Sequence, residues 1–211
     1  MRMKLLVVSW ILAAVLGCGD REAQLHEASR LKEESETLWS AGRYPEGLQA
    51  AERAFALRQR ILGAHHDDVL RLLPHLTRLR CRLEKRSCES SARQCESALA
   101  RLEQRLGPEH PELLDFLRIV AEDASGHEQM DRAEALLARA LRICEKAHGA
   151  NAPCAVSILN WLGAHVWMQT ADYEKAEKAL LRSLKIQEFT GERHPGIGAA
   201  LNNLAGLYAD M

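Results

Sequence analysis

Cysteine is the residue type in this chain with the most scope for chemistry, and the sequence contains six. Cys144 and Cys154 lie five residues on either side of Gly149, so an antiparallel turn at that glycine would bring the two thiols together. In an oxidising compartment, where disulfides persist, this spacing predicts a Cys144–Cys154 bond. The alternative is that both residues are small buried thiols at core positions.

Three further cysteines, Cys81, Cys88 and Cys95, are spaced seven residues apart. Cys88 and Cys95 share a predicted helix at about 10 Å of rise, which is too far for a bond between them. Cys81 could bridge a helix hairpin to Cys88, or to Cys95, and buried thiols are again the alternative. One thiol is left over in either arrangement, which permits pairing with another chain.

The run 65–68, His-His-Asp-Asp, resembles a metal site when it is taken alone. His110 and His194 occupy the same place as His66 in later segments of similar pattern, which favours a turn and helix-cap element. The sequence has no Cys-x-x-Cys or His-x3-His pair, phosphate-binding glycine loop, nucleophile elbow or His-Glu-x-x-His helix. We therefore predict no metal site, no cofactor and no enzymatic activity.

The N-terminus has the plan of a signal peptide. Arg2 and Lys4 precede an uncharged run of 12 residues, 5–16, which Gly17 and Cys18 follow at once. A hydrocarbon core needs about 20 helical residues, so the run is too short for a permanent span. We predict that residues 1–17 are removed, which leaves 26 basic and 29 acidic residues, a net charge near -3.

The end of this segment, Val15-Leu16-Gly17-Cys18, resembles the bacterial lipoprotein signal. The resemblance implies diacylglycerol on Cys18, a short lipidated tether over residues 18–21 and a durable membrane attachment. Gly19, rather than Asp, after the cysteine favours the outer membrane. The expected location is therefore a membrane surface facing the periplasm.

The elements that position these residues are predicted to be helices. Leu, Ala, Glu and Arg dominate, 47% of residues are apolar and only 5% are aromatic. The formal charge is -1, with Lys and Arg interspersed among Glu, so we predict no nucleic-acid partner. The expected class is all-α.

A repeat organises the rest of the chain. Four segments begin with a glycine and have Pro or Asp four residues later, a combination that ends one helix and starts the next. The glycines are 44, 42 and 42 residues apart, which places repeat boundaries near residues 63, 107, 149 and 191. Further breaks at 42–45, 85–87, 126–131 and 170–172 divide each period into a helix pair. The prediction is about nine helices, in about four and a half repeats over residues 22–211.

Aligning the repeats gives columns of core residues at three- and four-residue spacing. In the first helices, two columns hold large apolar side chains and one column holds small residues. They are Leu73, Leu117, Leu159 and Leu201; Leu76, Val120, Leu162 and Leu204; and Thr77, Ala121, Gly163 and Ala205. Pro74 interrupts this pattern and should bend its helix.

With these columns the chain resembles the tetratricopeptide repeat, in the 42-residue variety of kinesin light chains. The resemblance is clearest in segments 139–149, 172–177 and 200–208. It implies a right-handed α-solenoid of antiparallel helix pairs, whose first helices line a concave groove that receives a peptide or protein partner.

By column, the groove candidates of this chain carry amide, guanidinium and indole groups that hydrogen-bond or pack against a peptide. The residues are Arg71, His75, Arg78, Asp115, Arg118, Ser157, Asn160, Trp161, Asn202 and Asn203. Glu122 and Asp115 flank the arginines, so a clamp for a C-terminal carboxylate is not predicted. Trp161, Trp167 and Trp39 are either interface anchors or core filler.

These observations favour a membrane-anchored adaptor that holds a protein or peptide partner. One alternative is a structural lipoprotein that self-associates, a possible homo-oligomer. Another is a regulatory subunit that acts with a catalytic partner.

Overall fold

The computed structural model describes the backbone of residues 2–83, 85–190 and 196–210, and the side chains of residues 20–83, 89–189 and 198–209. Within these ranges all regular secondary structure is helical. The chain divides into two compact units, Met1–Ser91 and Ala92–Met211. None of the helices, as far as they are described, has the length and hydrophobicity that a bilayer crossing requires.

The first unit contains α1 (Arg2–Ser40), α2 (Tyr44–Leu62), α3 (Asp67–Leu70), α4 (Leu73–Leu83) and the start of α5 (Lys85–Leu106). The predicted tether, residues 18–21, is part of α1. α1 packs against α2, and α2 packs against α3 and α4. The Arg21 guanidinium donates to the Ile61 carbonyl at 3.4 Å, which joins the early part of α1 to the end of α2 and makes the pair antiparallel.

Pro74 does more than bend its helix. Proline lacks an amide donor and crowds the carbonyl four residues earlier, here that of Leu70, so α3 ends at Leu70. Arg71 and Leu72 form a turn, and α4 restarts at Leu73 with the proline in its first turn, where no donor is needed. If α3 and α4 are counted as one interrupted helix, the described residues contain nine helices, as predicted.

The second unit contains the rest of α5 and five further helices. A 3₁₀ turn, Pro111–Leu113, leads into α6 (Leu114–Gly126). There follow α7 (Met130–His148), α8 (Pro153–Trp161) with its π-helical continuation Leu162–Trp167, α9 (Tyr173–Thr190) and α10 (Gly196–Asp210). Each of α6 to α10 packs against the next, and α8 also contacts α10.

The repeat boundaries lie where the glycines predicted them. Gly63, Gly107 and Gly149 follow the ends of α2, α5 and α7 with φ angles of 90°, 90° and 91°. Only glycine adopts this backbone conformation without steric cost, so the residue type fixes the helix end. The fourth boundary, Gly191, lies outside the described residues.

The core columns hold in the first three repeats and fail in part at α10. Leu73, Leu117 and Leu159 are buried, whereas Leu201 is 51% exposed, so its prediction as a core residue was wrong. Ala205, predicted in the small column, is exposed as well. The reason is that α8 and α9 bury Ala200, Leu204 and Leu207 of α10, and no described residue covers the side that carries Leu201.

An arginine clamp joins neighbouring repeats of the second unit. Arg139 of α7 donates to the Glu103 carboxylate of α5 at 2.6 Å and also to the Pro108 carbonyl in the linker. The same arrangement recurs one repeat later, with distances of 2.5 and 2.9 Å from Arg182 to Glu145 and to the Ala150 carbonyl. Arg132 and Arg139 of α7 pair with Glu96 and Glu103 of α5, in both cases 36 positions earlier, so α5 and α7 run parallel.

Candidate functional site

Arg118 of α6 is the most deeply placed of the predicted groove residues, with 9% of its surface exposed. Its Nη1 donates to the Glu122 carboxylate. Its Nη2 lies 3.6 Å from Asp115 Oδ1, beyond hydrogen-bond distance, and is buried without a hydrogen-bond acceptor among the described residues. One donor of this guanidinium is therefore ion-paired with Asp115 but makes no hydrogen bond with a described residue.

Asn160 of α8 holds the position equivalent to Arg118. Its Oδ1 is buried and accepts no hydrogen bond within the described part of the chain. A buried polar atom left in this state costs about 1–3 kcal/mol, which a donor from a partner would recover. Asn202 of α10, the third residue of this column, is exposed, and the neighbouring Asn203 is half-buried.

Trp161 lies beside Asn160 and stacks on His165, with ring centroids 4.0 Å apart and ring planes tilted by 31°. The indole is half-buried. Desolvation lowers the pKa of His165 below its ordinary 6.5, which favours the neutral imidazole in the stack. Ser157, one turn earlier, is exposed and donates to the Cys154 carbonyl at 3.4 Å.

The other two candidate tryptophans pack against buried clusters. Trp167 packs against the buried cluster of Ala176, Leu180, Leu204 and Leu207. Trp39 packs against the cluster of Ala51, Leu76 and Leu79. Trp39 and Trp167 therefore pack on the core, but both are half-buried, as Trp161 is, so all three keep the partial exposure that an interface anchor needs.

In the first unit, the predicted groove residues contact other side chains of the same unit. Arg71 donates to Asp68 at 2.6 Å. The Arg78 guanidinium lies over the Trp39 ring, 5.3 Å from its centroid, with Nη2 3.5 Å from His75 Nδ1. This arrangement positions a cationic group on an aromatic face.

Sequence reasoning missed Ser35, which organises His75. The Ser35 hydroxyl donates to the Gly47 carbonyl at 2.7 Å and lies 2.8 Å from His75 Nε2. Because its only proton is used on Gly47, it accepts from His75, whose proton is then on Nε2. A buried serine on the α1 face that packs on α2 was the available signal, but its partner lies 40 residues away.

The linker histidines cap helices. His66 Nδ1 accepts from the Asp68 amide at 3.2 Å, and His110 Nδ1 accepts from the Glu112 amide at 3.3 Å. Each imidazole replaces one missing acceptor at a helix start. The interpretation as a turn and cap is confirmed for these two residues, and His194 lies outside the described residues. Where the structure describes side chains, no group of three or more His, Cys, Asp or Glu is arranged to hold a metal.

A disulfide joins Cys144 and Cys154, with an S–S distance of 1.98 Å and Cα atoms 6.1 Å apart. It ties the end of α7 to the first turn of α8. Cys81 is also disulfide-bonded, whereas Cys95 is buried in α5. The side chains of Cys88 and Cys18 lie outside the described residues, and with them the predicted Cys81–Cys88 pairing and the lipidation site.

Two family models with the description "Tetratricopeptide repeat" match the chain, over residues 35–68 and 116–188. Among solved structures, a Podosopora anserina protein assigned as a kinesin light chain, with nearly identical TPR-like repeats, is 21% identical with a TM-score of 0.61, over 86% of this chain and 85% of that one. A second crystal structure, of a point variant of that protein, is 21% identical with a TM-score of 0.63, over 87% of this chain and 87% of that one. BtubC (BKLC) from P. vanneervenii is 20% identical with a TM-score of 0.61, over 90% and 83%. No curated protein sequence matches.

The helix pairs and the matching structures define an all-α solenoid of repeated helix pairs, the fold class predicted from the sequence. The repeats that this chain carries are tetratricopeptide repeats. This fold is a scaffold for protein–protein interaction, and proteins built from it are generally not enzymes.

Proposed function

We propose that the chain is an adaptor that binds a segment of a partner protein on the first-helix face of the second unit. The observation that carries this proposal is the column of Arg118 and Asn160, in which a buried donor and a buried acceptor have no hydrogen-bond partner among the described residues. A peptide backbone offers both complements, a carbonyl for the guanidinium and an amide for the Asn160 oxygen.

Trp161 supplies the apolar contact next to these polar groups. Its half-exposed indole is held by the ring of His165, so little side-chain entropy is lost when a partner covers it. Aromatic residues that are fixed in this way are typical energetic anchors of interfaces. The expected partner segment therefore pairs its backbone with the Arg118–Asn160 column and places an apolar side chain on Trp161.

The proposal also includes export and a lipid anchor on Cys18. The sequence of residues 2–18 supports it, and so does the disulfide chemistry, because the Cys144–Cys154 bond and the bonded Cys81 are typical of an oxidising compartment. Replacement of Cys18 by Ser should abolish labelling by radioactive fatty acid and move the chain from the membrane to the soluble fraction. Unchanged labelling would refute the anchor and leave the binding face untouched.

The binding face is tested by photocrosslinking in the cell from a probe placed at Ser157, which is exposed on the same helix. Asn160→Ala and Trp161→Ala should each remove most of the crosslinked product. Asn151→Ala, at an exposed linker position, is the matched control and should leave the product unchanged. Equal yields from all three variants would show that this face does not hold the partner.

A further inference from the structure

The first helices of the second unit differ from one another in charge. α6 contains two Asp, one Glu and one Arg. α8 and its π-helical continuation, Pro153–Trp167, contain no Asp, Glu, Lys or Arg at all. The second helices of the same unit, α7 and α9, contain seven charged residues each. The neutral composition of α8 is therefore a local feature and not a property of the whole unit.

Burial does not account for this difference, because the positions that are charged in α6 still reach solvent in α8. The α8 residues 42 positions after the four charged residues of α6 are Ser157, Asn160, Ala164 and His165. Ser157 and His165 are exposed, and the other two are half-buried. With Trp161 they form what we call the uncharged face. Loss of charge at accessible positions is typical of the central part of an interface, where water is excluded.

The groups that the uncharged face offers to a partner are neutral. Asn160 has a side-chain amide whose Oδ1 accepts no hydrogen bond within the described part of the chain. Trp161 adds a half-buried indole that stacks on His165. Desolvation lowers the pKa of His165, which favours the uncharged imidazole. Amide, indole and neutral imidazole groups bind amides, hydroxyls and apolar side chains without a counter-charge.

The charges that border this face are already paired with one another. Arg118 of α6 donates to Glu122, and its Nη2 lies 3.6 Å from Asp115. On the other side, Lys175 of α9 pairs with Asp172 at 2.7 Å. On the face as described, a charge of the partner would therefore lose its water without gaining a counter-charge, which is a cost that a neutral residue does not bear.

We propose that the uncharged face selects a partner segment that has no Asp, Glu, Lys or Arg, and that offers amide groups to Asn160 and an apolar side chain to Trp161. This selectivity rests on the proposed function and adds the chemical class of the partner segment. It works by exclusion, because charged segments are penalised and neutral ones are not. Since ion pairs do not contribute, the affinity should be nearly independent of salt.

The test uses the chain from residue 18 with Cys18→Ser and a phage-displayed library of random peptides of about 12 residues, which span about 40 Å when extended. We expect the shared core of the selected peptides to be depleted of charged residues by about tenfold relative to the unselected library. Asn160→Ala and Trp161→Ala should each abolish the selection.

The outcomes separate the two proposals. Selected peptides that are rich in charged residues, and whose capture requires Asn160 and Trp161, would overturn the selectivity and leave the adaptor proposal intact. Peptides that both alanine variants still capture, or no capture at all, would count against the adaptor proposal and the selectivity together.

A charge placed on the uncharged face should change the selection in a defined direction. Ser157→Lys should enrich peptides with Asp or Glu, and Ser157→Glu should enrich peptides with Lys or Arg. Asp115 is exposed at the equivalent position of α6, so the fold accommodates a charge here. Asn151→Lys, at an exposed linker position, is the matched control and should keep the neutral selection. If Ser157→Lys selected the same peptides as the parent, this face would not set the selectivity.

Salt dependence gives an independent measurement. The dissociation constant of a selected peptide, measured by fluorescence polarisation, should change by less than about twofold between about 50 and 500 mM NaCl. A loss of affinity of about tenfold over this range would show that charges contribute to the interface, and it would overturn the proposal.

Discussion

Gly163 lies where the π-helical continuation of α8 meets α9 most closely, and its replacement by alanine should destabilise the second unit. A Cβ at this position would be 2.7 Å from Leu180 Cγ, 2.9 Å from Leu180 Cδ2 and 3.2 Å from the Ala176 carbonyl oxygen. Leu180 is fully buried, and the Ala176 oxygen belongs to the backbone of α9. Neither neighbour can move away without disturbing the packing of α9.

Two opposed effects set how much Gly163→Ala changes the free energy of unfolding. Overpacking of this kind costs about 1–3 kcal/mol. Replacing glycine by alanine within a helix returns about 1 kcal/mol, and the return is smaller in a π-helical segment. We expect a net loss of about 1–2 kcal/mol. Gly206→Ala, in α10, is the matched control. Its Cβ would meet only Met168 Cε at 3.8 Å, an ordinary contact, so that variant should gain up to about 1 kcal/mol.

Urea denaturation followed by tryptophan fluorescence measures both variants, since Trp161 and Trp167 lie in the same unit. The decisive result is the sign. Gly163→Ala should lower the midpoint, and Gly206→Ala should raise it or leave it in place. If Gly163→Ala unfolded at the same or a higher urea concentration than the parent, the close approach of these helices would not limit stability, and the reasoning would fail.

Three further predictions concern the turns, the disulfide and pH. Ala171 has a φ of 59°, which is strained for a residue with a Cβ, so Ala171→Gly should raise the free energy of unfolding by about 0.5 kcal/mol. Gly42 has a φ of 74°, so Gly42→Ala should lower the free energy of unfolding by about 0.5–1 kcal/mol. Thermal or urea unfolding measures both changes. Cutting the Cys144–Cys154 bond, which spans 10 residues, by Cys144→Ala with Cys154→Ala should cost about 2.7 kcal/mol in the same assay, and no loss would mean that the bond does not form. The pKa of His165 is lowered in the folded chain, so protonation of this residue favours the unfolded state. Its contribution to the free energy of unfolding is therefore complete above pH 6.5 and is lost as the pH falls below that value. His165→Gln should therefore reduce the difference between urea midpoints at pH 7.5 and pH 5.5, and an unchanged difference would exclude His165 as its source.

The sequence predicted the helices and their boundaries well because those signals are local. Gly63, Gly107 and Gly149 end helices through backbone conformation, and Pro74 interrupts one by the absence of a donor. Whether Pro74 bends the helix or divides it in two was harder to predict, since a proline is compatible with both a bend and a break.

The site was harder to predict because exposure is set by neighbours distant in the sequence. Three tryptophans had equivalent signals in the sequence. In the folded chain Trp39 and Trp167 each pack against a buried cluster, and Trp161 stacks on His165. The exposed Leu201 has the same local sequence pattern as the buried Leu117. The unmatched oxygen of Asn160 depends on the absence of a donor nearby, which residue spacing does not encode.

The arginine clamp has a consequence for how such a chain can change over generations. Each clamp uses one residue from a repeat, one from the preceding repeat and one carbonyl from the connector between them, so its atoms are all supplied within two adjacent modules. A duplicated or deleted module of about 42 residues would carry a complete set of these attachments across each new junction. The number of repeats can therefore change by unequal recombination without a compensating substitution elsewhere, whereas an insertion of half a module would leave an arginine facing no carboxylate.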